Sequence, residues 1–253
     1  MDAAYWDRLA AKYDQRVLNA WDADRRGVLK RTVREHADAS QHAVDFGCGT
    51  GNGLRLLSES FKTVRGYDYS KANLRLAANR HAGASNVSTR YRDLSKRRAV
   101  STTADFAVCV NVLIGPDMDL SRSILRTIVR SIRGNGRLLL VVPSYESALH
   151  VDRRLLDWNL TEGVEPEIAE KESLVAQKGY DEDNGIVPLD GVRTKHYRKG
   201  ELAGLLKSEG LSPVRARKVS YAWKTEFENP PPWLGPPYPW DWMVLAEKHS
   251  GQR

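Results

Sequence analysis

The stretch DFGCGTGNG, residues 45–53, places glycines at four alternate positions directly after a short apolar run. The run AVDF (43–46) is typical of a strand, and the LRLLSES segment that follows (54–60) is typical of a helix. Glycine permits positive φ angles and lets a ligand approach the backbone closely. The start of a helix adds unpaired N–H groups and the positive end of the helix dipole. The stretch therefore predicts either a tight strand-to-helix turn or a loop that binds a carboxylate or phosphate group.

Two common glycine-loop fingerprints do not fit this stretch. The dinucleotide pattern GxGxxG fails because Asn52 takes the place of the third glycine when the count starts at Gly47. A count from Gly49 places Leu54 there. A P-loop requires Gly-Lys-Ser/Thr, which does not follow. The class of ligand must therefore be inferred from motifs elsewhere in the chain.

Short apolar runs alternate with helical segments along the first part of the chain. After 43–46, the predicted strands are 63–69, 86–91, 105–113 and 137–143. Predicted helices cover 54–60, 70–82 with Ser70 as the cap, and 119–133. Residues 3–38 are expected to form two N-terminal helices, the second ending near Ala39. This alternation predicts βαβ units, a buried parallel sheet and right-handed crossovers.

The alternation stops after Pro143. Residues 145–177 are expected to be helical, 178–197 to be an acidic loop, and 198–209 to be a further helix. The last two strands, 212–223 and 240–248, have no helix between them and should pair antiparallel. The fold class predicted is α/β, doubly wound, with a mostly parallel seven-stranded sheet and an antiparallel C-terminal hairpin. We expect one domain over 1–253, with a cap over 144–197 on the substrate side.

The glycine stretch resembles motif I of the class I S-adenosylmethionine-dependent methyltransferases, in which an acid precedes glycines at alternate positions. The companion motifs of that family have counterparts at the ends of the next predicted strands: Asp68 in GYDYS, Asp93 in YRDLS, and the segment Asn111-Val112-Leu113. The resemblance extends over 5–143 and, in outline, over 198–248. It implies a Rossmann-like fold, methyltransferase activity and S-adenosyl-L-methionine as the cofactor.

The resemblance also implies roles for the residues of the glycine loop. Gly47, Gly49 and Gly51 would meet the amino-acid end of the cofactor. Asp45 would organise the loop or approach the ammonium group. The N-terminal segment YWDRLAAKYD is similar to a helix that many members fold over the cofactor, with Tyr13 facing it.

The same resemblance implies cofactor-binding roles for residues at the ends of the second, third and fourth strands. Asp68 corresponds to the acid that binds the ribose hydroxyls, and Tyr69 would lie along the adenine face. Asp93 and Leu94 match the segment near the adenine amino group. Asn111 and Val112 would lie beside the methionine moiety and the substrate.

No catalytic residue follows from the sequence, because a general base is needed only if the methyl acceptor must lose a proton. Candidates on the expected substrate side are Tyr145, His150, His196 and Tyr197, although packing or surface exposure explains each of them better. No metal is expected, since Asp117 and Asp119 suit the cap of the following helix. Trp240 and Trp242 alternate along a strand, which places both rings on one face, as core or as a ligand wall.

We expect the acceptor to be a small molecule, because no recognisable RNA-binding appendage is present. One alternative is an RNA methyltransferase that uses the basic run 90–98 and an arginine stripe, which at helical spacing comprises Arg122, Arg126, Arg130, Arg133 and Arg137. A solvated helix face explains the stripe as well. A second alternative is a protein that binds S-adenosylmethionine without turnover.

Composition agrees with an ordinary soluble globular protein. The 253 residues are 41% apolar and 28% charged, with a net charge of +7. The first residues carry charges throughout, unlike a signal peptide, and no run approaches the roughly 20 apolar residues of a membrane span. Cys48 and Cys109 form no CxxC pair. We therefore expect a reduced, cytoplasmic protein without a membrane partner, of undetermined oligomeric state.

Overall fold

The computed structural model describes residues 2–96 and 103–249, and its main feature is one seven-stranded sheet. Its strands are β1 (Asp38–Phe46), β2 (Phe61–Asp68), β3 (Val87–Tyr91), β4 (Ala104–Val110), β5 (Ile132–Pro143), β8 (Leu211–Ser220) and β9 (Trp240–Lys248). A separate hairpin is formed by β6 (Ile186–Leu189) and β7 (Val192–Lys195). The order in the sheet is β3-β2-β1-β4-β5-β9-β8.

Helices cover both faces of this sheet. In chain order they are α1 (Ala3–Leu9), α2 (Tyr13–Arg16), α3 (Ala20–Ala23), α4 (Val28–Glu35), α5 (Leu54–Ser60), α6 (Lys71–Arg80), α7 (Met118–Arg130), α8 (Tyr145–Thr161), α9 (Pro166–Ala176) and α10 (Lys199–Ser208). Apolar residues of α4, α5 and α6 share one core cluster, and those of α7 and α10 share the cluster on the opposite face. The sheet is doubly wound, as predicted.

The strand order reverses between β1 and β4. The chain moves outward from β1 to β2 and β3, returns to place β4 on the other side of β1, and then continues to β5. All these neighbours pair in parallel, whereas β9 pairs antiparallel with both β5 and β8. This confirms the predicted parallel sheet with an antiparallel C-terminal hairpin. In such open sheets, ligands bind outside the carboxyl ends of the strands where the order reverses.

The N-terminal region differs from the two helices predicted over 3–38. Short helices α1 to α4, with a 3-10 turn at Ala10–Lys12, replace them, and β1 already begins at Asp38. Local caps divide the region: the Asn19 side chain accepts a hydrogen bond from the N–H of Trp21 at the start of α3. Gly27 then adopts a left-handed φ of 61° before α4. The apolar periodicity spans these interruptions, so periodicity alone could not reveal them.

The segment 178–197 is not the acidic loop we expected. It contains the β6–β7 hairpin, whose connection is Asp190-Gly191 with φ angles of 48° and 76°. Asp-Gly between two short apolar runs is a strong hairpin signal, because both central residues need positive φ. Ile186 and Val187 of this hairpin are buried. The helical segment 145–177 is likewise divided, into α8 and α9, at Gly163 with a φ of 83°.

The predicted arginine stripe does not exist as one helical face. Helix α7 ends at Arg130, so Arg133 and Arg137 lie on β5. Three of the five arginines form ion pairs with acids on other elements, namely Arg126 with Glu209 (2.8 Å), Arg133 with Asp105 (3.0 Å) and Arg137 with Glu247 (2.7 Å). In the basic run 90–98, residues 97 and 98 lie outside the described part of the chain.

Within the ranges 2–96 and 103–249, no helix has both the length and the apolar character needed to cross a membrane. Trp240 and Trp242 lie on one face of β9, as their alternation predicts, with ring centroids 6.2 Å apart. Both rings belong to a buried apolar cluster, which identifies them as core residues.

Asp117 caps α7, so replacing it should destabilise the fold without affecting ligand binding. Its carboxylate accepts from the N–H groups of Asp119 (2.9 Å) and Leu120 (3.0 Å). Asp117→Ala should lower the free energy of unfolding by about 1 kcal/mol, the usual value of a lost N-cap. Urea titration of this variant beside Asp119→Ala, which removes an exposed acid but no cap, gives the measurement. Equal stability of the two variants would contradict the assignment.

Candidate functional site

The glycine loop lies at the carboxyl end of β1, at the position where the strand order reverses. The N–H groups of Gly47 and Cys48 both donate to the carbonyl oxygen of Tyr67 on β2, at 2.7 and 3.0 Å. These bonds hold the loop close to β2 before α5 begins at Leu54. The loop thus faces the crevice in which ligands of open α/β sheets bind.

Gly47 and Gly49 are required by both conformation and space. Their φ angles are 75° and 53°, in the left-handed region that favours glycine. A Cβ atom on Gly47 would collide with a methyl group of Val112, and one on Gly49 would lie 2.7 Å from the Tyr13 hydroxyl. Gly51 faces elsewhere, since a Cβ there would lie 3.0 Å from Nε2 of His81, next to α6. The loop therefore brings Val112 and Tyr13 against its inner side.

Asp68, at the end of β2, connects this loop to the next helix. One carboxylate oxygen accepts from the N–H of Gly49 (2.9 Å), and the other accepts from the N–H of Ser70 (2.8 Å), which caps α6. Burial raises the pKa of Asp68, while these backbone hydrogen bonds act in the opposite direction. This carboxylate therefore shapes the loop and orders the start of α6.

Asp45, directly before the loop, forms an acidic pair with Asp68. Burial, followed by the nearby charge of Asp68, raises the pKa of Asp45 to about 7. Within the described ranges, neither acid has a Lys, Arg or His ion-pair partner within 4.0 Å. A buried carboxylate without a counter-charge is costly, and a nearby positive charge favours its ionised form. The pair is therefore suited to a cationic ligand.

The N-terminal helices lie over the glycine loop. Asp7 accepts from the Ser70 hydroxyl (2.6 Å) and from the N–H of Ala72 (3.0 Å), at the start of α6. Asp14 forms an ion pair with Arg80 at 2.7 Å, near the end of the same helix. Tyr13, between these two attachments, has its hydroxyl against Gly49. The structure thus places the Tyr13 hydroxyl at the glycine loop, and Asp7 and Asp14 anchor the helices that carry it.

The residues predicted for the adenosine side lie at the ends of β2 and β3. Tyr69 accepts a side-chain hydrogen bond from Trp6, and burial raises its pKa to about 12. Asp93 accepts from the hydroxyl (2.6 Å) and the N–H (3.0 Å) of Ser95. Partial burial opposes ionisation of Asp93, but these hydrogen bonds keep its pKa below the ordinary value. Leu94 is buried in the core beneath them.

Asn111 and Val112 follow β4 at the same edge of the sheet. Asn111 has a φ of 52°, and its side-chain nitrogen donates to Asp241 on β9 at 3.1 Å. Its side-chain oxygen is buried, with no hydrogen-bond partner in the described part of the chain. Leaving such an acceptor unpaired costs about 1–3 kcal/mol, so an unpaired acceptor at a crevice points to a ligand. Asp241 was not predicted, although an acid between two buried tryptophans was a usable signal.

Polar contacts account for two of the four candidate bases, the histidines. His150 bonds through Nε2 to the carbonyl oxygen of Pro237 at 2.8 Å. His196 is buried, which lowers its pKa to about 4, and its Nδ1 contacts the carbonyl oxygen of Thr194. Tyr197 is fully buried in the core. The hydroxyls of Tyr145 and Tyr197 are both buried without a hydrogen-bond partner among the described residues.

Helix α8, which begins at Tyr145, also carries a buried acid, Asp152. Asp152 accepts from the Tyr180 hydroxyl at 3.3 Å through one oxygen, while its other oxygen is buried without a partner in the described ranges. Burial raises the pKa of Asp152 to about 6. These polar atoms lie in the segment 144–197 that the sequence assigned to a cap. Among the described residues, no group of three or more His, Cys, Asp or Glu side chains could hold a metal ion.

Comparison with known proteins identifies the family and the fold of this chain. Residues 6–214 match the family model described as a methyltransferase domain. No curated protein matches the sequence. A solved S-adenosylmethionine-dependent methyltransferase from Methanosarcina mazei is 18% identical and superposes with a TM-score of 0.62. The match covers 86% of this chain and 97% of that one.

Two further solved structures have the same fold. Magnesium protoporphyrin IX methyltransferase from Synechocystis PCC 6803, with bound S-adenosylhomocysteine, is 15% identical with a TM-score of 0.60, over 97% of this chain and 94% of that one. A methyltransferase from Haloferax volcanii, solved with its activator Trm112, is 14% identical with a TM-score of 0.60, over 97% and 98%. The chain thus belongs to the methyltransferase-domain family and has the fold of the S-adenosylmethionine-dependent methyltransferases.

Proposed function

We propose that this protein binds S-adenosylmethionine at the carboxyl ends of β1 and β4 and transfers its methyl group to a small-molecule acceptor. The observation that carries the proposal is the buried acidic pair Asp45 and Asp68 against the glycine loop, without a counter-charge among the described residues. S-adenosylmethionine carries positive charge at its sulfonium and ammonium groups. The related structures with bound S-adenosylhomocysteine support the same ligand here.

The residues around the loop fit the parts of such a cofactor. The loop at Gly47 and Gly49 would meet the amino-acid end of the cofactor, beside Asp45 and the Val112 and Tyr13 side chains that contact it, whereas Gly51 serves the turn against α6. Asp68 is placed to accept hydrogen bonds from the ribose hydroxyls. Tyr69 and the segment Asp93-Leu94 would flank the adenine. Tyr13 would cover the cofactor from the N-terminal helices.

The bound cofactor would supply an activated methyl group on a sulfonium, so the protein needs no nucleophile of its own. The chain's contribution would be alignment of the acceptor atom with that methyl group and exclusion of water. The N-terminal helices, fixed through Asp7 and Asp14, are suited to exclude water on one side. No residue is assigned as the base, since the acceptor atom is not identified.

We further propose that the chain is one domain in which 144–197 forms a cap on the substrate side. The cap begins at the end of β5, at the edge of the sheet where the loop lies. The Tyr145 hydroxyl and one carboxylate oxygen of Asp152 are buried without hydrogen-bond partners among the described residues, which supports a ligand beneath this cap. An RNA acceptor is less well supported, because ion pairs engage three of the five arginines of the supposed basic stripe.

Methyl transfer into a small molecule is the direct test. Incubation of the protein with S-adenosylmethionine carrying a radiolabelled methyl group, and with fractionated extract of the source cells, should label material below about 1 kDa. Ribonuclease treatment should leave that label unchanged, and heat-inactivated protein should give none. Label confined to ribonuclease-sensitive material would instead establish the RNA alternative, and cofactor binding without label in any fraction would favour a non-catalytic protein.

Asp68 should dominate cofactor affinity. Hydrogen bonds to a charged carboxylate contribute about 1.5–3 kcal/mol each. Asp68→Ala and the more conservative Asp68→Asn should therefore weaken S-adenosylhomocysteine binding at least tenfold, as measured by calorimetric titration. Thermal unfolding shows whether each variant is folded. Unchanged affinity in a folded variant would remove Asp68 from the site, and tighter binding of NAD than of S-adenosylhomocysteine would overturn the cofactor assignment.

Cofactor affinity should also depend on the ionisation of Asp45. With a pKa of about 7 in the free protein, Asp45 is mostly neutral at pH 6 and must lose its proton to attract a cation. Affinity for S-adenosylmethionine should thus rise about five- to tenfold from pH 6.0 to 7.5, with proton release on binding. Asp45→Asn should bind more weakly, with an affinity that is flat over this range. A wild-type affinity independent of pH would contradict the role of Asp45.

A further inference from the structure

Asp241 is a buried acid between Trp240 and Trp242 on β9, 130 residues from Asn111, which follows β4. It is only 8% exposed. One carboxylate oxygen accepts from the Tyr221 hydroxyl (2.7 Å) and from the side-chain nitrogen of Asn111 (3.1 Å). Within the described ranges no basic side chain forms an ion pair with it. The only polar groups shown to contact this carboxylate are therefore two neutral donors.

The contact with Asp241 determines how the amide of Asn111 is oriented. Burial raises the pKa of Asp241, whereas the hydrogen bonds from Tyr221 and Asn111 favour its ionised form. In that form the carboxylate only accepts hydrogen bonds, so Asn111 directs its nitrogen toward Asp241 and its oxygen away from it. The backbone cannot turn to compensate, because the N–H of Asn111 donates to Val141 at 2.9 Å. The left-handed φ of 52° at Asn111 fixes the direction in which the side chain leaves the strand.

The oxygen of this amide is the atom that lacks a partner. It is buried, and no group in residues 2–96 or 103–249 donates to it. The next residue, Val112, packs against Gly47 of the glycine loop. The free acceptor thus lies at the end of β4 beside the loop at which the proposed function places the amino-acid end of the cofactor. An oxygen acceptor in this position suits an N–H donor or a positively charged group.

We propose that Asp241 is a positioning residue, which holds the Asn111 amide so that its oxygen accepts from the cationic amino-acid end of S-adenosylmethionine. The inference rests on the proposed function. The ammonium would donate a hydrogen bond to this oxygen, whereas the sulfonium, which has no N–H, could attract it only electrostatically; only the ammonium persists in S-adenosylhomocysteine. Comparison of the two ligands therefore identifies the group that Asn111 contacts.

A double-mutant cycle tests this role, with dissociation constants measured by calorimetry. Asp241→Ala should weaken S-adenosylmethionine binding at least fivefold, because the Asn111 amide is then free to turn. Asn111→Ala should cause a similar loss. The double variant should be no weaker than the Asn111→Ala variant, since Asp241 acts through Asn111. A further loss of the same factor in the double variant would overturn the proposal.

Two conservative variants separate positioning from other roles. Asp241→Asn keeps an oxygen acceptor for Asn111, so its affinity should stay within threefold of the wild type. A loss as large as that of Asp241→Ala would show that the charge of Asp241 acts directly, and would contradict positioning. Tyr221→Phe removes the other donor to the same oxygen and should leave affinity nearly unchanged.

The choice of ligand excludes a general structural effect. The neutral compound 5′-methylthioadenosine retains the nucleoside but lacks the amino-acid end, so the Asp241 and Asn111 variants should bind it within twofold of the wild type. An equal loss for this compound would mean that the substitutions distort the site, and would overturn the proposal. If Asp241→Ala does not fold, Asp241→Leu offers an apolar replacement of larger volume. Failure of the wild type to bind either cofactor form would refute the proposed function itself.

Discussion

The hydrogen bond from the Gly49 N–H to the Asp68 carboxylate is the contact on which the rest of the site depends. It joins the loop after β1 to the end of β2, and the other oxygen of the same carboxylate orders the start of α6 through Ser70. The Ser70 hydroxyl in turn binds Asp7 of the N-terminal helices. The Asp68 carboxylate therefore connects the glycine loop, β2, α6 and the N-terminal helices. Residue 49 must be a glycine, because the Tyr13 hydroxyl of these helices leaves no room for a side chain there.

The same arrangement explains the electrostatic character of the site. Burying Asp45 near Asp68 without a counter-charge disfavours ionisation of Asp45, as its raised pKa of about 7 shows. Folding tolerates this cost because the backbone N–H groups of Gly49 and Ser70 partly compensate the charge of Asp68. A cationic ligand would remove the remaining penalty. The free protein thus stores an unfavourable interaction in the place where a positively charged cofactor would relieve it.

The parts that sequence predicted correctly depend on local patterns. The alternation of short apolar runs and helical segments predicted β1 to β5 together with α5 and α6. The Ser70 and Asp117 caps were predicted from residue type and position. The errors arose where a second signal competed with the pattern. The acidic composition of 178–197 predicted a loop, whereas Asp190-Gly191 forms the β6–β7 turn. Helical spacing in the arginines continued past Arg130, although β5 begins at Ile132. The roles of the individual cofactor residues stay predictions.

The contact between Asn111 and Asp241 shows why part of the site was beyond prediction. It depends on strand order, since β9 returns antiparallel beside β5 and brings Asp241 level with Pro143, at the edge where Asn111 leaves β4. No local pattern specifies which residue of β9 lies at that level. The alternation of β9 does require that Asp241 point to the face opposite Trp240 and Trp242, and a buried acid on an apolar strand needs donors. The C-terminal hairpin therefore has two functions: it completes the sheet, and it brings Asp241 to the Asn111 amide beside the glycine loop.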